Sequence, residues 1–268
     1  MLPVPSEALV VAHRDAMSRV RGRTAARARQ MFDRLGSWDE PDADRFAAAV
    51  APVVAAGRNR AAALTAAYLT RALGVPVGAR DLDPRGVAAD VMWRRPFVQL
   101  WSGLSNGQSF TSALNAASAR VDAMAQTDVQ LAMTNMTRDV LADPPAGAPR
   151  VVGYMRVLTG ESCGLCATAS TQRYKTSDLM PIHDRCDCGV EPILAGEKPA
   201  GRVINRDLLG RLKDQRVDTS DSASLKHVRV DPDGNVVLPQ VQVVEHGEIG
   251  PVLVDAAHDF KSPADLGG

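Results

Sequence analysis

The sequence predicts an α+β protein that is predominantly α: an N-terminal helical region, a small Cys/His-bearing β element and a C-terminal β-hairpin tail. Three observations predict it. Apolar residues make up 45% of the 268 residues but aromatics only 4%, so the apolar content is mostly Ala, Val and Leu, suited to small-residue helix packing. Apolar side chains recur at three- and four-residue steps through much of the first half, the signature of one buried helix face. Finally, Asp143-Pro144-Pro145-Ala146-Gly147-Ala148-Pro149 ends that pattern abruptly, and short β-like runs follow. The length allows one elongated domain or two small ones.

From Ser6 to Leu35, the residues Val10, Met17, Val20, Thr24, Ala28, Met31 and Leu35 line one face of a helix. Seven arginines (14, 19, 21, 23, 27, 29 and 34) lie mostly off that stripe. They read as a solvated basic face, with docking onto an acidic partner or DNA as the sharper alternative. Gly36-Ser37-Trp38 breaks the helix, and Asp39-Glu40-Pro41-Asp42 reads as the next start, because proline fits a first turn and acids there complement the helix dipole. Helices are expected over 41–56 and 58–73, and Gly74 to Gly86, rich in Gly and Pro, is a connector. A second helical block follows, clearest at Leu114, Ala117, Val121, Met124 and Leu131, with Asp128 its one polar interruption; Met136 and Val140 extend it. The expected regions are 1–86, 87–145, 150–195 and 196–268.

Val151 to Leu158 reads as a strand leading into the cysteines. After Leu194, a short helix is expected near 203–214, then a polar linker over 218–224. Residues 227–230 and 236–244 are β-like and flank Asp231-Pro232-Asp233-Gly234-Asn235, a turn in which proline presets φ and glycine accepts positive φ. A hairpin is expected there.

The net charge is zero, so no global field drives binding to nucleic acid or membrane. The apolar stretch 46–56 is too short for a membrane span, and residues 1–5 lack the basic start and apolar run of a secretory leader. No membrane partner is expected, and the chain reads as soluble.

All four cysteines fall within residues 163–188. A disulfide framework would spread them to staple distant segments; clustering beside a histidine points to metal. The spacing is Cys163-x2-Cys166, sixteen residues, then His183-x2-Cys186-x-Cys188. Each close pair puts donors on one side of an ion, and two pairs complete a tetrahedron. Cys163, Cys166 and Cys186 take three positions, and His183 or Cys188 the fourth. Thiolate-rich ligands favour zinc over magnesium or calcium. Structural zinc contributes roughly 10 kcal/mol or more of apparent binding free energy in peptide systems, comparable with the stability of a whole domain. A segment of about forty residues, too small for its own core, gains most from such a zinc knuckle. The metal is therefore read as structural.

Catalytic readings are thinner. Gly160-Glu161-Ser162-Cys163-Gly164 matches G-x-S-x-G after a strand, but Ser162 adjoins a metal ligand and no α/β series surrounds it. A cysteine-protease arrangement would pair a thiolate with His183 or His246 and needs a cysteine spared from metal. His13, His227 and His258 read as exposed or satisfied structural histidines. No phosphate-binding loop, dinucleotide fingerprint or His-Glu-x-x-His helix is present.

Cys163-Gly-Leu-Cys166, the run Asp178-Leu-Met-Pro-Ile-His183-Asp-Arg-Cys186-Asp-Cys188 and Val190-Glu-Pro192, preceded by helices and a strand, resemble the phage Mu F-like (MuF) minor head proteins of actinobacterial tailed phages. His246-Gly-Glu-Ile-Gly-Pro-Val-Leu253, with His258 and Phe260, resembles a closing motif of that subgroup. The likeness covers residues 90–260, with a MuF-like core over 87–195. It implies a low-copy minor capsid protein for head morphogenesis, placed inside the virion head near the portal and assembled in the bacterial host cytoplasm. Portal protein, scaffold and major capsid protein are the implied partners, with packaged DNA a further one. Relatives are often labelled capsid maturation proteases, so an alternative is a protease using Ser162 or Cys188 with His183 or His246. A third reading is a zinc-dependent nucleic-acid-binding protein using the Arg-rich first helix.

Overall fold

The computed structural model describes residues 7–80, 85–157, 164–175, 188–196, 229–230, 236–237, 241–246 and 250–255. Three long helices build its body: α1 (Glu7–Asp33), α2 (Glu40–Leu73) and α5 (Phe110–Ala142). Two short ones, α3 (Ala89–Trp93) and α4 (Arg95–Ser105), precede α5.

The expected face of α1 is the buried one. Val10, Met17, Thr24 and Ala28 are buried, together with Ala25 and Phe32, while Val20, Met31 and Leu35 are half-buried. The turn into α2 is built by two aspartates. Asp39 caps the helix, its side chain accepting from the Asp42 amide at 2.9 Å. Asp42 reaches back to the Ser37 and Trp38 amides at 3.0 and 2.9 Å and to the Ser37 hydroxyl at 2.9 Å. Asp39 makes the N-cap contact of a capping box, while Asp42 reaches past the cap to the two residues before it. That reach holds Trp38 at φ +51°, a conformation that side chains other than glycine rarely adopt.

α2 departs from the sequence reading. It is one helix of 34 residues rather than two split at Gly57, and Pro52 lies inside it. Gly57 is a point of contact: a Cβ there would sit 2.4 Å from Thr24 Oγ1 of α1. The missing side chain lets the two backbones approach. Pro52 is solvent-exposed, and its lost backbone hydrogen bond falls on that outer face. The helix stops at Gly74, whose φ of +72° forms a left-handed cap and whose amide bonds to the Thr70 carbonyl at 3.0 Å.

The core has three zones along the bundle. At one end Phe32, Phe46, Trp93, Phe97, Leu100 and Val121 pack together, with Phe32 edge-on to Phe46 and Phe97 at 5.4 and 5.2 Å. The middle holds small residues, Met17, Ala61, Val129 and Ala132. The far end joins helices to sheet through Val10, Leu69, Leu73, Met136, Val140, Tyr154 and Leu194. Residues from 1–86 and from 87–145 thus share one core. The connector between α2 and α3 returns the chain from the sheet end to the aromatic end, and on the way Arg85 pairs with Asp128.

Three strands form an antiparallel sheet in the order β2-β1-β3: β1 (Val151–Val157), β2 (Arg173–Tyr174) and β3 (Gly189–Leu194). A short helix, α6 (Gly164–Ser170), lies between β1 and β2. β3 docks on the bundle where Gly189 meets Val10, with no space for a Cβ, and where the Tyr68 hydroxyl donates to the Val190 carbonyl at 2.6 Å. The α+β, mainly helical class is the one the sequence predicts.

In the tail, β4 (Arg229–Val230) pairs with β5 (Val236–Val237), as the expected hairpin requires, with Val230 opposite Val236. The β-like run 236–244 is not one strand, however. β6 (Val241–His246) is separate and pairs with β7 (Gly250–Asp255). Pro239 lies between β5 and β6, and proline cannot donate to a ladder. The helix expected near 203–214, the linker at 218–224 and the turn at 231–235 lie outside the described residues. Among the described residues, no helix is long and apolar enough to cross a membrane.

Candidate metal centre around the cysteines

Two of the five predicted ligands are described. Cys166 lies on α6 and Cys188 immediately precedes β3; both are buried, at 1% and 5% exposure. Cys163, His183 and Cys186 lie outside the described residues, as does Ser162. Among the described residues, no three metal-binding side chains come together.

Strand β1 relates the two cysteines to one another. The helix carrying Cys166 packs against β1, and Arg156 of β1 donates from Nη1 to Cys188 Sγ at 3.4 Å. Register explains the second contact. Arg156 is opposite Val190, so Cys188, two residues earlier, shares its face of the sheet. Arg156 is itself buried, at 5% exposure, and its guanidinium lies 5.6 Å over the Tyr174 ring, which stacks on Tyr154 at 5.1 Å. Sequence periodicity had no means of finding Arg156, because its role arises only from strand pairing.

The helical side of the site mixes polar and apolar side chains. A cleft opens beside Cys188 between α1 and α5, lined by Met17, Val129 and Met133 as well as by Arg14, Ser18, Arg21 and Gln130. Next to it His13 stacks on Tyr68 at 4.5 Å and hydrogen-bonds Thr65 Oγ1 at 3.2 Å. Burial lowers the His13 pKa to about 4. It is a satisfied structural histidine, as expected. Burial, and secondarily the charge of Glu191, pushes the Tyr68 hydroxyl upward, so it stays a donor to the Val190 carbonyl.

Of the catalytic candidates, Ser162 and His183 lie outside the described residues, and Cys188 accepts from Arg156. β1, which precedes the G-x-S-x-G residues, is the centre of an antiparallel sheet, whereas a nucleophile elbow of that type belongs to an α/β-hydrolase sheet. His246 closes β6, opposite Gly250, and α6 touches that strand. His227 and His258 lie outside the described residues.

A family model described as VG15 protein matches residues 5–206. The match spans the helical body, the sheet and every predicted metal ligand. Among curated proteins and solved structures, nothing matches the chain. With most of its length covered, the chain belongs to the VG15 protein family, a viral family, and membership suggests a phage-encoded protein.

Proposed function

We propose that this is a MuF-like minor head protein of a tailed phage, stapled by structural zinc, that acts inside the procapsid near the portal. Membership in the VG15 family supports the phage setting. The MuF-like run from Cys163 to Pro192 supports the head role. One observation supports the zinc staple: Cys166 and Cys188 are both buried, Cys166 on the helix that packs against β1 and Cys188 in contact with Arg156 of that strand.

The residues fit the ion chemically. Cys163, Cys166 and Cys186, with His183 or Cys188, would hold it, and the Arg156 guanidinium would offset part of the thiolate charge. Zinc bound this way supplies a cross-link and no reactive position. Arg156 orients Cys188, and the Gly189–Val10 contact fixes the element against the helices.

The head role is tested by peptide mass spectrometry of purified procapsids and virions, with portal pull-down from the procapsids. The chain should appear at low copy and co-purify with the portal. Its absence from both particles would overturn the assignment. The protease alternative is separated by Ser162→Ala: under the reading adopted here, capsid and scaffold proteins are processed as in wild type, whereas an uncleaved capsid protein would favour the protease.

A further inference from the structure

We infer that the outer face of α1 binds the phosphate backbone of duplex DNA. Arg19, Arg23 and Arg27 of α1, and Arg34 in the turn that directly follows it, are all solvent-exposed. At about 100° per residue they fall within about 80° of one another around the helix, forming a single line. Over that line the helix rises about 22 Å, enough to follow about six base pairs of one strand. Gln30 is the other long side chain on it and accepts from Arg27 at 2.8 Å. Asp15 and Asp33 lie about 40° to one side of the line and are already engaged: Asp33 takes Arg29 and Ser118, and Asp15 takes Arg14. No ion pair joins Arg19, Arg23 or Arg34 to any described residue. The zero net charge of the chain therefore conceals a locally basic face.

The chemistry of the face selects the partner. A protein interface needs an apolar centre from which water is expelled, yet none of the exposed large apolar side chains among the described residues lies on α1. Single strands are gripped by aromatic stacking, but Phe32 is fully buried and His13 is stacked on Tyr68. What remains is a row of guanidinium forks with no lysine among them, a geometry suited to bidentate phosphate contact. Nothing on the row reads bases, so binding is independent of sequence. This inference needs neither the zinc nor the head assignment.

The test is fluorescence anisotropy of a labelled 20-base-pair duplex with the full chain over a salt series. Four contacts predict a slope of log affinity against log salt of about −3.6. The triple variant R19Q/R23Q/R27Q should bind at least about ten-fold more weakly in low salt, with the slope shallower by about 2.7. R29Q/R71Q/R80Q, which removes the same charge off the line, should bind like wild type. Glutamine is a good helix former, and circular dichroism checks that both variants stay folded. The inference is overturned if the wild type does not bind, if both triples lose affinity equally, or if polyglutamate at equal charge displaces the duplex as well as unlabelled DNA does.

Discussion

Asp42 lies in the first turn of α2, and its carboxylate accepts from the Ser37 and Trp38 amides, which pins the left-handed Trp38 against the helix start. Those contacts, led by the Ser37 amide, hold its carboxyl near pH 2 against an ordinary 3.8. The stabilisation is therefore complete above pH 3.8 and disappears as pH falls towards 2. Asp42→Asn should lower stability at neutral pH and flatten the acid limb between those values, as urea unfolding at a series of pH values would show. His13 behaves alike at a higher pH. Its pKa is lowered from 6.5 to about 4 by burial, so its neutral form stabilises the fold in full above pH 6.5, and this contribution is lost as pH falls to 4. The loss amounts to about 3 kcal/mol at most; His13→Gln should abolish that part of the pH dependence, and an unchanged slope would refute it. The helix start at Asp39-Glu40-Pro41-Asp42 was legible because caps follow local rules. The partners of His13, Thr65 and Tyr68 lie about fifty residues away and leave no local trace.

Gly57 shows how an element can be misread while its residues are read correctly. Glycine usually punctuates, which is why two helices were expected over 41–56 and 58–73. Here the missing side chain admits Thr24, whose hydroxyl is fixed on the Val20 carbonyl at 2.8 Å. Gly57→Ala should therefore destabilise by about 1–2 kcal/mol through overpacking, despite alanine's better helix propensity. Adding Thr24→Ala should restore much of that loss, and a thermal-melt double-mutant cycle would reveal the coupling; additive losses would refute the contact. Asp128 carries a similar lesson. It looked like a polar interruption in α5, but it is a fully buried carboxylate held by Arg85, with Arg58 at 4.0 Å. The helices and β1 were readable because periodicity and chain punctuation are local. The division of β5 from β6, and β7 as its partner, depended on strand pairing that no short window contains.

Over the described residues, a helical bundle whose core lies in separate clusters supports a sheet that packs Tyr154 and Leu194 into one of them. The class of fold followed from composition and periodicity, since few aromatics leave small-residue helix packing as the cheapest way to bury apolar surface. For the candidate site, sequence spacing proposed sulfur and imidazole donors, of which Cys166 and Cys188 are described and buried. It did not supply the basic partner, Arg156, or the docking of β3 through Gly189 and Tyr68. The metal staple is the claim on which the proposed architecture depends most. Its most direct test is elemental analysis of the purified full-length protein, paired with thermal unfolding before and after chelation. One zinc per chain, with the melting temperature falling on its removal and on Cys163→Ser or Cys186→Ser, is the predicted result. Protein that carries no zinc and melts identically with and without chelator would contradict it.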